Sequence, residues 1–187
     1  MEFEERNIYL VPIGDIDRNY FPNLCNDLSL KFKLKCNVKH SLTHPDYAYN
    51  SKRRQYSASK ILNVIKKIKT SDVDKVLGIV DVDLYTSGLN FVFGQAELMG
   101  RNCLISVSRL DPRFYSYDYD ENLFYERVLK ESVHELGHTF GLQHCDNRKC
   151  VMIFSNSLLD TDYKSSNFCE RHQKQFLCLL QEKKQIK

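Results

Sequence analysis

Residues 134–144 read His-Glu-Leu-Gly-His-Thr-Phe-Gly-Leu-Gln-His. On an α-helix, at about 100° per residue, His134 and His138 lie only about 40° apart, so both imidazoles leave one face a turn apart. Glu135 sits on the flank of that face, too constrained to ligate the same ion but able to reach a water on it. Gly141 lets the chain turn sharply, and His144 returns as a third nitrogen. Three protein ligands with one position left open is the arrangement of a catalytic zinc. Five positions are specified, each roughly a one-in-20 occurrence or rarer. A chance match somewhere in the chain is therefore below about 10⁻⁴.

A second constellation starts at the next residue. Cys145, Cys150, Cys169 and His172 are separated by four, eighteen and two residues. Cys169 and His172 stand i, i+3 on the first turn of a predicted last helix and can grip one ion. Three thiolates and one imidazole close a tetrahedral structural zinc. The competing reading is four unconnected buried residues, since cysteine is often just a small hydrophobe. Two close pairs flanking a knuckle-length insert favour the metal. Cys178 competes as fourth ligand but lies nine residues past Cys169, about 13 Å along a helix, which is too far. Cys25, Cys36 and Cys103 read as core residues. Two zinc ions per chain are expected.

The elements that must position these groups are legible as periodicities. Tyr125, Leu129, Val133, Leu136 and Phe140 form an i, i+4 stripe opposite the histidines, so that face meets a core. Asp118 with Glu121 makes a capping box at the start of this helix, and Gly141 ends it. A last helix is predicted from about Phe168 to Glu182, with Phe176, Leu177 and Leu180 inward. Upstream, Ile8–Ile13 reads as a strand and Phe21–Leu30 as a short helix. Phe32, Leu34, Cys36 and Val38 alternate with lysines and Asn37, the signature of a half-buried strand. His40–Arg54 is polar loop. Ser57–Lys69 carries apolar residues at helical spacing. Lys75–Leu84 and Asn102–Ser108 read as strands. Leu89–Phe93, in a stretch with no charge between Asp83 and Glu97, reads as an edge strand left bare for a peptide to join. The order implies an α+β chain: a mixed, mostly parallel β-sheet of about five strands, with flanking helices, an active-site helix and a C-terminal helix. One domain is expected over 1–187, with sheet and active-site helix to about 141 and the second zinc site from about 142.

Composition limits the setting. The chain has 187 residues, 42% hydrophobic and 27% charged, as a globular protein would be. No run approaches the ~18 apolar residues of a membrane span. The N-terminus opens Met1-Glu2-Phe3-Glu4-Glu5-Arg6, with no apolar signal region, which predicts a cytoplasmic setting. Seven cysteines, an odd count with four in the last 43 residues, argue for metal over disulfides there. Lys31–Lys69 holds eleven Lys/Arg and one acid, Asp46. That segment is +10 in a chain of net +3, so the remainder carries −7. An anionic partner would fit such a segment, but a solvated strand face and helix face is the commoner cause. Few aromatics interleave with it, so nucleic acid is not the expected partner.

The helix motif resembles the metzincin zinc peptidases. Cys145, Cys150 and Met152, with the Cys-x-x-ligand pair near the C-terminus, resemble the archaemetzincin family. So do Leu77-Gly-Ile-Val-Asp-Val-Asp-Leu-Tyr85 and Gly88-Leu-Asn-Phe-Val-Phe-Gly-Gln-Ala96. The resemblance covers about residues 76–172. It implies a zincin-like fold, a catalytic zinc on His134, His138 and His144, Glu135 as general base, and a second zinc. It also implies that Met152 is an apolar floor beneath the imidazoles. The family pattern ends Cys-x-x-Cys, whereas this chain has His172, itself a zinc ligand. The expected reaction is peptide-bond hydrolysis by a zinc-activated water, with a peptide or protein substrate and a monomeric enzyme. The alternative is a non-catalytic zinc-containing peptide-binding or adaptor protein that retains the site; a carboxylate beside the metal favours the enzyme. Hydrolysis of a non-peptide amide also fits the motif. No tyrosine closely follows Met152, so the sequence assigns no second oxyanion stabiliser.

Overall fold

A computed structural model describes residues 6–185. In chain order it holds β1 (Asn7–Ile13), α1 (Phe21–Phe32), β2 (Lys35–Val38), β3 (Tyr49–Asn50), β4 (Gln55–Ser57), α2 (Ala58–Ile65) and β5 (Lys75–Val80). There follow β6 (Leu84–Tyr85), β7 (Gly94–Ala96), β8 (Asn102–Ser106), α3 (Glu121–Thr139), α4 (Leu158–Tyr163) and α5 (Glu170–Gln185). Five strands form one sheet in the order β2-β1-β5-β8-β7, parallel except for β7, which runs antiparallel to β8. The small β3-β4-β6 sheet stands beside it.

Period-two alternation splits the strands between two cores. Ile8, Leu10, Leu77, Ile79, Cys103 and Ile105 face α1, α3 and α5. Val11, Ile13, Val76, Val80 and Leu104 face α2 through Ile61, Leu62 and Ile65. Burying each such side chain is worth about 1.5–3 kcal/mol. Phe32 closes the first core: it stacks on Phe140 at 5.3 Å and meets Phe168 and Phe176 edge-on. Through these rings α1 is tied to the end of α3 and to α5. The inward face of α5 is Phe176 with Leu179 and Leu180, rather than Leu177.

Several boundaries differ from expectation. The alternation from Phe32 to Val38 begins inside a helix: Phe32 is the last residue of α1, which ends with Lys33 at φ 55. Only Lys35–Val38 pairs, as an edge strand. The helix α3 is capped by Asp120, whose carboxylate accepts from Leu123 N at 2.9 Å, not by Asp118. Leu89–Phe93 is not a strand. Arg53 and Gln55 donate to the carbonyls of Leu89 and Asn90, Phe93 buries its ring, and Val92 forms only a single bridge to Leu84. The true edge strand is the next three residues, β7.

The far end of α3 is held by a residue from the sheet. Lys75, 4% exposed, donates to Thr139 O at 2.8 Å and to Gly100 O at 2.6 Å. A cation there satisfies a terminal carbonyl and opposes the helix dipole.

Candidate metal centres

The helix α3 is buried nearly all round, and its last two turns carry the histidines. His134 is 5% exposed, His138 half-buried and His144 exposed. Their ligand atoms lie within 4.8 Å of one another. The Nδ1 atoms of His134 and His138 sit 2.8 Å from the carbonyls of Val151 and Leu142. Those bonds require protons on Nδ1, which leaves Nε2 of each ring a bare lone pair. The two Nε2 atoms then face each other at 3.1 Å. Two lone pairs aimed at one point fit a cation between them, and a carbonyl behind each ring is the usual outer support of a ligating histidine. Burial holds His138 down to about 4 and His134 well below the usual imidazole value, so both rings are neutral near pH 7.

Packing is tight where α3 passes Met152, one residue before His138. Met152 is fully buried, and a Cβ on Gly137 would stand 2.6 Å from its Sδ, so only glycine fits at that point of the helix. Beside it, Glu135 is 6% exposed and lies against β7. A Cβ on Gly94 would come within 2.6 Å of the Glu135 Oε1. Burial first, and then the Glu131 carboxylate, push the Glu135 carboxyl well above the usual carboxylate range, while Lys164 acts in the opposite direction.

Lys164 and Glu131 were not singled out by the sequence. Lys164 is fully buried, 2.9 Å from Glu131 as an ion pair, without the alignment of a hydrogen bond. Thr161 donates to the same carboxylate oxygen at 2.9 Å. The pair lies one turn before His134 and Glu135 and fastens the end of α4 under the site. The one available signal was Glu131 itself, a charge on the histidine side of a helix with no solvent-facing side. Phe154, also unpredicted, places its ring 5.0 Å from that of His144. Tyr163, the first tyrosine after Met152, has the Lys149 ammonium over its ring, 3.8 Å from the centroid.

The second group assembles as expected. Cys145, Cys150, Cys169 and His172 bring their ligand atoms within 4.8 Å of one another, and Cys178 stays exposed and apart. Cys145 and Cys169 are 3.8 Å apart at sulfur, which is the edge, about 3.8 Å, of a tetrahedron with zinc–sulfur bonds of about 2.3 Å. His172 Nδ1 lies 3.5 Å from Cys169 Sγ and 3.6 Å from Cys150 Sγ. Backbone Cys169 N–H donates to Cys150 Sγ at 3.2 Å, as in loops that cradle a thiolate. Burial lifts the Cys150 thiol to about 11, so a metal must displace its proton. Cys103 is core as expected; Cys25 and Cys36 are only half-buried and face each other.

A buried helix with two convergent imidazoles, pressed against the last strand of a mostly parallel sheet, places the molecule among zincin-like metallopeptidases. Residues 18–177 match the model of peptidase family M54, and the chain belongs to that family. The archaemetzincin of Methanocaldococcus jannaschii is 40% identical over 172 residues, covering 88% of this chain and 89% of that one. The crystal structure of the archaemetzincin of Methanopyrus kandleri matches with a TM-score of 0.84 at 40% identity, covering 95% of this chain and 96% of that one. A zinc-dependent peptidase from Methanocorpusculum labreanum matches with a TM-score of 0.80 at 27% identity, covering 90% and 99%. The protein is a zinc-dependent metallopeptidase. No helix among the described residues is long and apolar enough to cross a membrane.

Proposed function

We propose that the chain hydrolyses peptide bonds with His134, His138 and His144 holding the catalytic zinc and Glu135 as general base. Cys145, Cys150, Cys169 and His172 hold a second, structural zinc, giving two ions per chain. Zinc at the open site supplies Lewis acidity, polarising a carbonyl and bringing the pKa of a water toward about 7. The observation that carries the reading is the pair of Nε2 atoms facing each other at 3.1 Å, with Glu135, the next residue after His134, buried on the same helix. Glu135 takes a proton from the attacking water and returns it to the leaving amine. Its burial excludes bulk water and keeps that proton within the site. Met152 under Gly137 keeps the histidine helix at a fixed height.

The peptide lies along β7. Phe93 O accepts from Ser106 N–H and Glu97 N–H donates to Asn102 O on the β8 side, so in an antiparallel ladder the groups of Gly94 and Ala96 point to the outer side. An extended substrate pairs there by strand addition. Ala96→Pro removes an outward donor without touching the sheet. It should raise KM for peptides about fivefold or more while zinc content and Tm hold; unchanged KM would move the substrate elsewhere.

The deciding experiment is cleavage of a proteome-derived peptide library by zinc-loaded protein, beside Glu135→Ala. The variant should keep its zinc and lose at least ~10²-fold in turnover. Retained turnover would require another base. No cleavage by either protein, with zinc bound, would leave a peptide-binding adaptor as the function.

A further inference from the structure

Two cysteines stand outside both metal-competent groups and opposite each other. Cys25 lies in the second turn of α1 and Cys36 is the second residue of β2, eleven positions on in the chain. Their sulfurs are 2.7 Å apart, closer than the 3.8 Å between Cys145 and Cys169. Both are free thiols, half-buried, packed on the margin of the first core. Among the described residues, Cys103 is enclosed by the sheet and Cys178 is exposed and has no cysteine beside it within hydrogen-bond reach. The backbone on either side is regular: one thiol is fixed by a helix and the other by a strand paired to β1. Holding two reactants in contact on rigid elements makes their reaction effectively unimolecular. Either thiol can donate across the contact; with the proton on Cys36, the Cys25 pKa is lowered and that of Cys36 raised. In that arrangement Cys25 is the attacking sulfur and Cys36 the one that resolves.

We propose that Cys25 and Cys36 are a reversible disulfide-forming site, oxidised by hydroperoxides and reopened by dithiols, that pins α1 to the edge strand β2. In the first step the Cys25 thiolate attacks the peroxide oxygen: an S–O bond forms, the O–O bond breaks, and hydroxide leaves as water after taking a proton. The Cys36 sulfur then attacks Cys25; the S–S bond forms, the S–O bond breaks, and a second water leaves with the Cys36 proton. Two electrons pass from the two thiols to the peroxide. The thiols of the Cys3His group are the competing target. Cys145 and Cys150 are 4% and 1% exposed, and with metal bound their lone pairs are engaged. Cys25 and Cys36 have neither protection.

The test uses the full zinc-loaded chain and one equivalent of hydrogen peroxide. Remaining thiols are blocked, the protein is digested without reduction, and zinc is measured in the same sample. The expected result is a Cys25–Cys36 cross-linked peptide two mass units lighter than the reduced pair, formed in most chains, reversed by dithiothreitol, with zinc content unchanged. In Cys36→Ala, dimedone should trap Cys25 as the sulfenic acid. Zinc release before the cross-link appears, or no cross-link at all, would overturn the proposal. Equal trapping of Cys36 in Cys25→Ala would overturn the assignment of Cys25 as the attacking sulfur.

Discussion

His144 and Cys145 are consecutive, yet His144 is exposed and Cys145 is 4% exposed. Each belongs to a different cluster. The three-histidine group grades from a buried ligand at His134 to an exposed one at His144, and so opens to solvent on one side. In the Cys3His group Cys145, Cys150 and His172 are all nearly enclosed and only Cys169 is half-buried. The supports differ as well. In the first group His134 and His138 are held by one continuous helix with a carbonyl behind each ring, and His144 joins from beyond its end. The second joins a loop to the first turn of α5, with no single element to hold it. On the proposed assignment the difference teaches that similar ligand chemistry serves two ends: where helix already supplies most of the scaffold a metal is free to act, and where it does not a metal must supply the scaffold.

The sharpest way to break this comparison is to remove one ligand from each group. Cys169→Ser should cost at least ~4 kcal/mol, because ion binding there is coupled to folding of the 145–172 region. His144→Ala should leave the melt within a few degrees and lose the catalytic ion. Equal or reversed Tm losses, with zinc counted per chain, would undo the proposed partition.

Next in size is the ion pair beneath the histidines. Lys164→Met leaves Glu131 buried without its cation, and breaking such a pair costs about 3–5 kcal/mol. The double variant with Glu131→Leu should recover much of that loss. Denaturant melts of both check it; no recovery would mean that Lys164 acts through packing alone.

The smallest effect sharpens the comparison by pH. In metal-stripped protein, His138 titrates at about 4 against an ordinary value of 6.5, because it is buried. Its folded value is depressed, so the unfolded chain binds more protons between these values. Stability is complete above about pH 6.5 and declines as pH falls toward 4, by an amount on the order of 1–3 kcal/mol. Added zinc should shift that decline to lower pH. A flat profile in stripped protein would show that the histidine face is open to water.

Both clusters were legible because their spacing is local. Helical period fixes His134 against His138, and Cys169 against His172, without any knowledge of the fold. The mixed, mostly parallel character of the sheet was legible too, since alternating strands and helices imply it. What failed depended on distant partners. Lys164 meets Glu131 across 33 positions, and nothing in Tyr163-Lys164-Ser165 announces burial. Leu89–Phe93 has the composition of a strand, but Arg53 and Gln55 occupy the carbonyls that a ladder would need. Phe32 to Val38 alternates correctly by chance across a helix end, because Phe32 is claimed by the Phe140 and Phe176 rings. Asp120 rather than Asp118 caps α3, a displacement of two residues that composition does not resolve. The basic surplus of 31–69 is spread over the end of α1, the β2 edge, the 52–54 turn, Lys60 of α2 and the 66–69 segment after it. Some of it is already engaged, as Lys31 with Asn167 and Lys66 with Glu97.

The two ends of the large sheet are unlike in a way that bears on crowding. At β2 the exposed Lys33 and Lys35, with Lys39 braced over the Tyr9 ring, line an otherwise open edge. A second copy approaching that edge strand-to-strand would set lysines against lysines, so aggregation through it is opposed by charge. At β7 there is no such row, but the strand is only three residues long, too short to template a growing stack of chains. One edge opposes pairing by charge and the other leaves room for a short peptide but little for a stack of chains, so cross-strand assembly is disfavoured at both ends of the sheet.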